Sequence, residues 1–82
     1  MGSNRTKEER FVLCLHKEAM RCGDEEMALD RYDIGVKAVL SAKAVDAICQ
    51  QLVRANFIRK EGEQFICLTR HGLRLALELA SE

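Results

Sequence analysis

Four residues recur at helical spacing in the middle of this chain: Lys43, Ala47, Gln50 and Arg54. At about 100° per residue they share one stripe, opposite a second made of Val45, Ile48, Cys49 and Leu52. The chemistry open to such a stripe is recognition rather than catalysis. A lysine near a helix start reaches a phosphate or a guanine edge. An alanine lets the helix approach closely and meets a thymine methyl. A glutamine pairs with N6 and N7 of adenine, and an arginine grips a phosphate. Asp46 and Gln51 border the stripe, and an acid there could accept from cytosine N4. The same pattern is also the solvated side of any amphipathic helix, so its meaning depends on the elements that carry it.

Other chemistry is poorly represented. His16 and His71 have no partner pattern, there is no glycine-rich phosphate loop, and no acidic pair suggests a general acid and base. The expectation is therefore a protein that is not an enzyme and needs no cofactor. Cys14, Cys22, Cys49 and Cys67 are scattered without a C-x-x-C pair, which speaks against a zinc site. Cys14, Cys49 and Cys67 lie within apolar stretches and read as small hydrophobes in a reducing compartment. Cys22 is the one candidate for an exposed thiol, at a helix C-terminus where the dipole opposes a thiolate.

The totals bound the rest. Eighty-two residues, 48% of them hydrophobic, suffice for one domain with one core. Thirteen acidic and thirteen basic side chains cancel, which is unusual for a nucleic-acid binder. They are unevenly placed: the first thirty residues hold seven acids and five bases, and the rest hold six acids and eight bases. The longest apolar run is Phe11-Val12-Leu13-Cys14-Leu15, far short of the roughly 18 residues of a membrane helix, so a cytoplasmic protein is expected. Residues 1–5 read as a disordered tail or an expression scar, and 6–82 as a single domain.

The elements follow from caps and periods. Thr6 and Glu9 have capping-box spacing, Phe11, Leu15, Ala19 and Cys22 make one stripe, and Gly23 supplies the stop: a helix over about 6–22. A very short strand is expected at 27–29. Asp30 caps a short second helix through about residue 39, weakened by Gly35. Ser41 caps the third helix, over 42–55, and Asn56 closes it. Residues 57–60 and 63–68 are β-prone runs around Glu61-Gly62, which predicts a hairpin with a two-residue loop. Thr69 caps a last helix over 70–80. The order is helix, short strand, helix, helix, hairpin, helix: an α+β fold that is mostly α.

The run Leu52-Val53-Arg54-Ala55-Asn56-Phe57-Ile58, then the hairpin, then Leu68-Thr69-Arg70-His71-Gly72, resembles bacterial winged helix-turn-helix regulators of the MarR and PadR kind. The likeness covers about residues 28–77. It implies a wing formed by the hairpin, a third helix placed in the major groove of double-stranded DNA, and a role as a sequence-specific transcriptional regulator. The alternative is a winged-helix module that docks to another protein without binding DNA. Two departures stand out: Asn56 replaces the usual glycine, and the short wing carries Glu61 and Glu63 at its tip.

Around the third-helix stripe, Arg31, Lys37, Arg59, Lys60, Arg70 and Arg74 are candidates for phosphate contacts. The last helix shows two apolar stripes, one of Leu73, Ala76, Leu77 and Ala80, the other of Leu75 and Leu79. Leu13 and Met20 likewise fall off the stripe of the first helix. An uncovered second stripe predicts a homodimer through Leu13, Met20, Leu75 and Leu79. The resemblance points the same way.

Overall fold

A computed structural model describes residues 5–81. Of the expected tail, residues 1–4 lie outside the described residues, and Arg5 donates from Nη2 to the carbonyl of Leu79 at 2.6 Å. The chain runs α1 (Lys7–Arg21), β1 (Leu29–Asp30), α2 (Arg31–Lys37), α3 (Ala42–Arg54), β2 (Ile58–Lys60), β3 (Phe65–Leu68) and α4 (Arg70–Ala80). It is an α+β domain, mostly helical, with one small antiparallel sheet in the order β1-β3-β2.

Each helix starts where an oxygen side chain can satisfy its free N–H groups. Thr6 and Glu9 close a full capping box on α1, at 3.1 and 3.0 Å. Asp30 caps α2 through the Tyr32 amide, Ser41 caps α3 through Ala44, and Thr69 caps α4 through Gly72. Three helices also end alike. In each, one residue turns to positive φ while its own amide and the next reach back to two carbonyls of the last turn. Gly23 does this for α1 and Asn56 for α3. For α2 the residue is Val39, at φ 61.

Val39 is out of place there. A β-branched side chain in the left-handed region costs about 1–2 kcal/mol, and Val39 recovers little by packing because it is 85% exposed. Val39→Gly should therefore stabilise the domain by about 1 kcal/mol. The check is a higher urea midpoint with an unchanged slope; an unchanged or lower midpoint would show that Val39 is not strained.

Phe11, Leu15, Ile34, Val45, Ile48, Leu52, Ile58, Ile66 and Leu68 form the centre of the core, each at most 4% exposed. The α2–α3 approach explains the glycine inside α2. A Cβ at Gly35 would overlap Cγ2 of Val45, so the residue that weakens this helix locally is what lets the two pack closely.

Three expectations change, the first being the short strand, which falls at Leu29–Asp30 rather than 27–29 because it pairs with Phe65 and Ile66. The hairpin register pairs Lys60 with Ile66, and the Glu61 amide bonds to the Phe65 carbonyl, so the loop is Gly62-Glu63-Gln64 rather than Glu61-Gly62. Leu79, expected at a dimer interface, is 4% exposed within one chain and belongs to the core with Ala76. Leu75 packs partly buried against that core, and Leu77 is left outside at 51% exposed. The inward face of α4 is Gly72, Ala76 and Leu79, set by the seating of its first turn against Phe57. Leu13 is half-buried and Met20 exposed on the outer side of α1.

Candidate nucleic-acid interface

Helix α3 presents the stripe that its period predicts. Val45, Ile48, Cys49 and Leu52 are buried, which turns Lys43, Ala47, Gln50 and Arg54 outward, and all four are exposed. None of Lys43, Gln50 and Arg54 enters an ion pair or side-chain hydrogen bond, so their donors are available to an incoming group.

Asp46, beside the stripe, is not an isolated acid. The Tyr32 hydroxyl donates to its Oδ1 at 2.6 Å, and Nη2 of Arg31 stands 3.5 Å from the same oxygen. Arg31 in turn donates to the Tyr32 hydroxyl at 3.3 Å, with its guanidinium carbon 5.1 Å from that ring. Burial works to lower the pKa of Arg31, but the Tyr32 hydrogen bond and the charge of Asp46 prevail and hold it above its usual value. This triad joins the start of α2 to the middle of α3. It offsets the one negative charge beside the stripe, and it withdraws Arg31, whose side chain is only 16% exposed, from the set of expected phosphate contacts.

Arg59 is also engaged. Its Nε donates to Glu61 at 2.7 Å, and that carboxylate raises its pKa. Lys60 is exposed and unpaired, whereas Glu61 and Glu63 keep the loop end of the hairpin acidic. Lys37 stands elsewhere, over α1 with Arg10 and Lys17, in a groove that no residue of the α3 stripe lines. Thus Arg31, Lys37 and Arg59 are not brought to the stripe as free cations.

The structure gathers others. At the start of α4, Arg70, His71 and Arg74 line a depression of about 360 Å³ with Asn56 and Thr69. The His71 ring stacks on Phe57 at 4.6 Å, nearly parallel. Asn56 lies two residues beyond Arg54 in the chain, so this basic corner continues from the end of α3. Sequence alone names Arg70 and Arg74 as cations without giving them a place; the packing of α4 on Phe57 supplies it.

The cysteines are free thiols, with Cys49 and Cys67 buried, Cys14 half-buried and Cys22 exposed. Burial raises the pKa of Cys14, Cys49 and Cys67, which keeps them protonated and poorly nucleophilic near neutral pH. In the native protein Cys22 should be alkylated first by iodoacetamide, and Cys49 and Cys67 only on unfolding, as mass spectrometry of a time course would register. Early labelling of Cys49 would contradict this packing. Among the described residues no group of histidine, cysteine or acidic side chains is arranged to hold a metal ion. None of their helices is long and apolar enough to cross a membrane.

The chain matches no protein-family model, no curated protein and no solved structure.

Proposed function

We propose that this domain is a winged helix-turn-helix, with α2 and α3 as the helix pair and the β2–β3 hairpin as a short wing. The role we assign it is binding of double-stranded DNA, as a sequence-specific regulator whose α3 enters the major groove. The supporting observation is the outer stripe of α3, exposed along its length with free donors at Lys43, Gln50 and Arg54, while the opposite stripe is buried.

Gln50 then reads a base edge, Ala47 allows close approach, and Lys43 and Arg54 hold phosphates near either end of the helix. Arg70 and Arg74 extend the backbone contact past the end of α3, and Lys60 extends it along the wing. The Glu61-Gly62-Glu63 sequence stays clear of phosphate, so the wing positions the domain through its base rather than its tip.

With Arg31 and Arg59 engaged elsewhere, the five remaining cations neutralise about five phosphates per domain, giving a log–log salt slope of roughly −4.5. Fluorescence anisotropy with a random duplex at about 50 mM salt should show micromolar binding that weakens roughly five-hundredfold by about 200 mM. Absence of binding at the lower salt would overturn the proposal and favour a protein-docking module.

A further inference from the structure

The outer face of α1 takes no part in the contact proposed above. Two open depressions adjoin there and share Leu13 and Lys17. The first, about 660 Å³, runs between α1 and the end of α2 over a floor of Leu13, Cys14, Ala38 and Val39. The second, about 550 Å³, continues past His16 and Met20 to Ala80 at the end of α4. Cations stand along the rim: Arg10, Lys17 and Lys37 around the first, Arg21 at the far end of the second. Among the described residues, no aspartate or glutamate lines either one. Of the acids of α1, Glu9 closes the capping box, Glu18 meets Arg21 at 3.4 Å, and Glu8 lines neither depression.

We propose that this groove is a docking site for an acidic amphipathic helix of a partner protein. An apolar floor whose described rim carries lysines and arginines fits a helix that presents leucine-like anchors on one side and carboxylates on its flanks. From Arg10 to Arg21 the face is roughly 16 Å long, about three helical turns. The groove is too open to enclose a small molecule, which usually loses most of its surface to its pocket. A second copy of this chain fits less well, since a two-fold contact centred on Leu13 and Lys17 would gather Arg10, Lys17 and Lys37 from both copies with no acid among the described lining residues to offset them.

Val39 adds an independent reason. Its left-handed backbone closes α2 with two hydrogen bonds that a glycine would make without strain, and its side chain is 85% exposed, so packing within the domain does not account for a valine here. Such strain persists at functional positions. Here it places an isopropyl group on the floor of the groove, where a docked helix would cover it.

The inference stands apart from DNA binding, and its test separates the two. The probe is a fluorescein-labelled synthetic helix of glutamate, alanine and leucine, with leucines at i, i+4 and i+7, beside a control in which glutamine replaces each glutamate. At about 50 mM salt the intact protein should bind the acidic peptide at least about tenfold more tightly than the control. Lys17→Glu with Lys37→Glu should cost at least about tenfold in that affinity, while Gln50→Ala with Arg54→Ala should leave it unchanged. Val39→Gly should weaken peptide binding several-fold although the fold is no less stable, which separates loss of contact from loss of structure. Amide shifts in a labelled sample should centre on Leu13, Cys14 and Val39. Equal binding of the two peptides, indifference to charge reversal, or shifts centred on α3 would each overturn the proposal. So would sedimentation showing a dimer that Met20→Glu disrupts and the peptide does not displace, which would give the groove to a second copy.

Discussion

Gly72→Ala is expected to destabilise this domain by about 3 kcal/mol or more, although helix propensity alone favours alanine by roughly 1 kcal/mol. The sign is decided by what lies under the first turn of α4. A Cβ at position 72 would overlap the Phe57 carbonyl oxygen and stand 2.8 Å from its carbon and 3.1 Å from Cδ2 of Leu68. The obstacle is main chain, and that main chain is held. The Phe57 carbonyl accepts from the Thr69 amide at 3.1 Å, and the Thr69 hydroxyl donates to the Asn56 carbonyl at 2.6 Å while accepting from the Gly72 amide at 3.0 Å. Moving Phe57 away from a methyl group would break this clasp, and moving α4 would lift Ala76 and Leu79 from the core. Thermal unfolding followed by circular dichroism should show a melting temperature lower by about 12 °C or more. An unchanged or higher value would mean that the two segments are not in contact. Gly35→Ala should be milder, because the obstacle there is a methyl group of Val45, which a small side-chain adjustment can relieve.

The second large effect is on binding. Gln50→Ala together with Arg54→Ala should lower affinity for a selected DNA sequence by about a hundredfold, at roughly 1–3 kcal/mol for each lost base or phosphate contact. Stability should change by less than about 0.5 kcal/mol per site, since both side chains are exposed. The single variants divide the roles. Arg54→Ala should weaken binding to every duplex and reduce the salt slope by about one, whereas Gln50→Ala should leave random duplex unaffected and relax sequence preference at one base. A dissociation constant that stays the same in the double variant would remove α3 from the interface.

Much of this architecture was legible because it is local. Thr6, Asp30, Ser41 and Thr69 each sit at the cap that their type and position announce. The α3 stripe was legible for a related reason: its polar and apolar residues separate cleanly at the helical period. On α4 they do not. Leu73, Leu75, Ala76, Leu77, Leu79 and Ala80 offer several overlapping stripes, and period alone cannot choose among them. The deciding residue was Gly72, whose contact with Phe57 selects the face carrying Ala76 and Leu79. The engagement of Arg59 by Glu61 could have been read, since residues two apart on a strand share a side. The pairing of Arg31 with Asp46 could not, because it depends on how α2 crosses α3. The groove along α1 was equally hidden, visible beforehand only as Leu13 and Met20 lying off the main stripe.

Asp30 uses both oxygens of one carboxylate. Oδ1 accepts from the Tyr32 amide at the head of α2, and Oδ2 accepts from Nε2 of Gln64 at 2.7 Å, next to the place where the Arg31 amide meets the Gln64 carbonyl at 2.9 Å. The tip of the hairpin and the entrance of α2 are thereby parts of one mechanical joint. A load applied to the tip is felt directly by the helix that precedes α3, and a longer tip that displaced Gln64 would loosen that helix at its root.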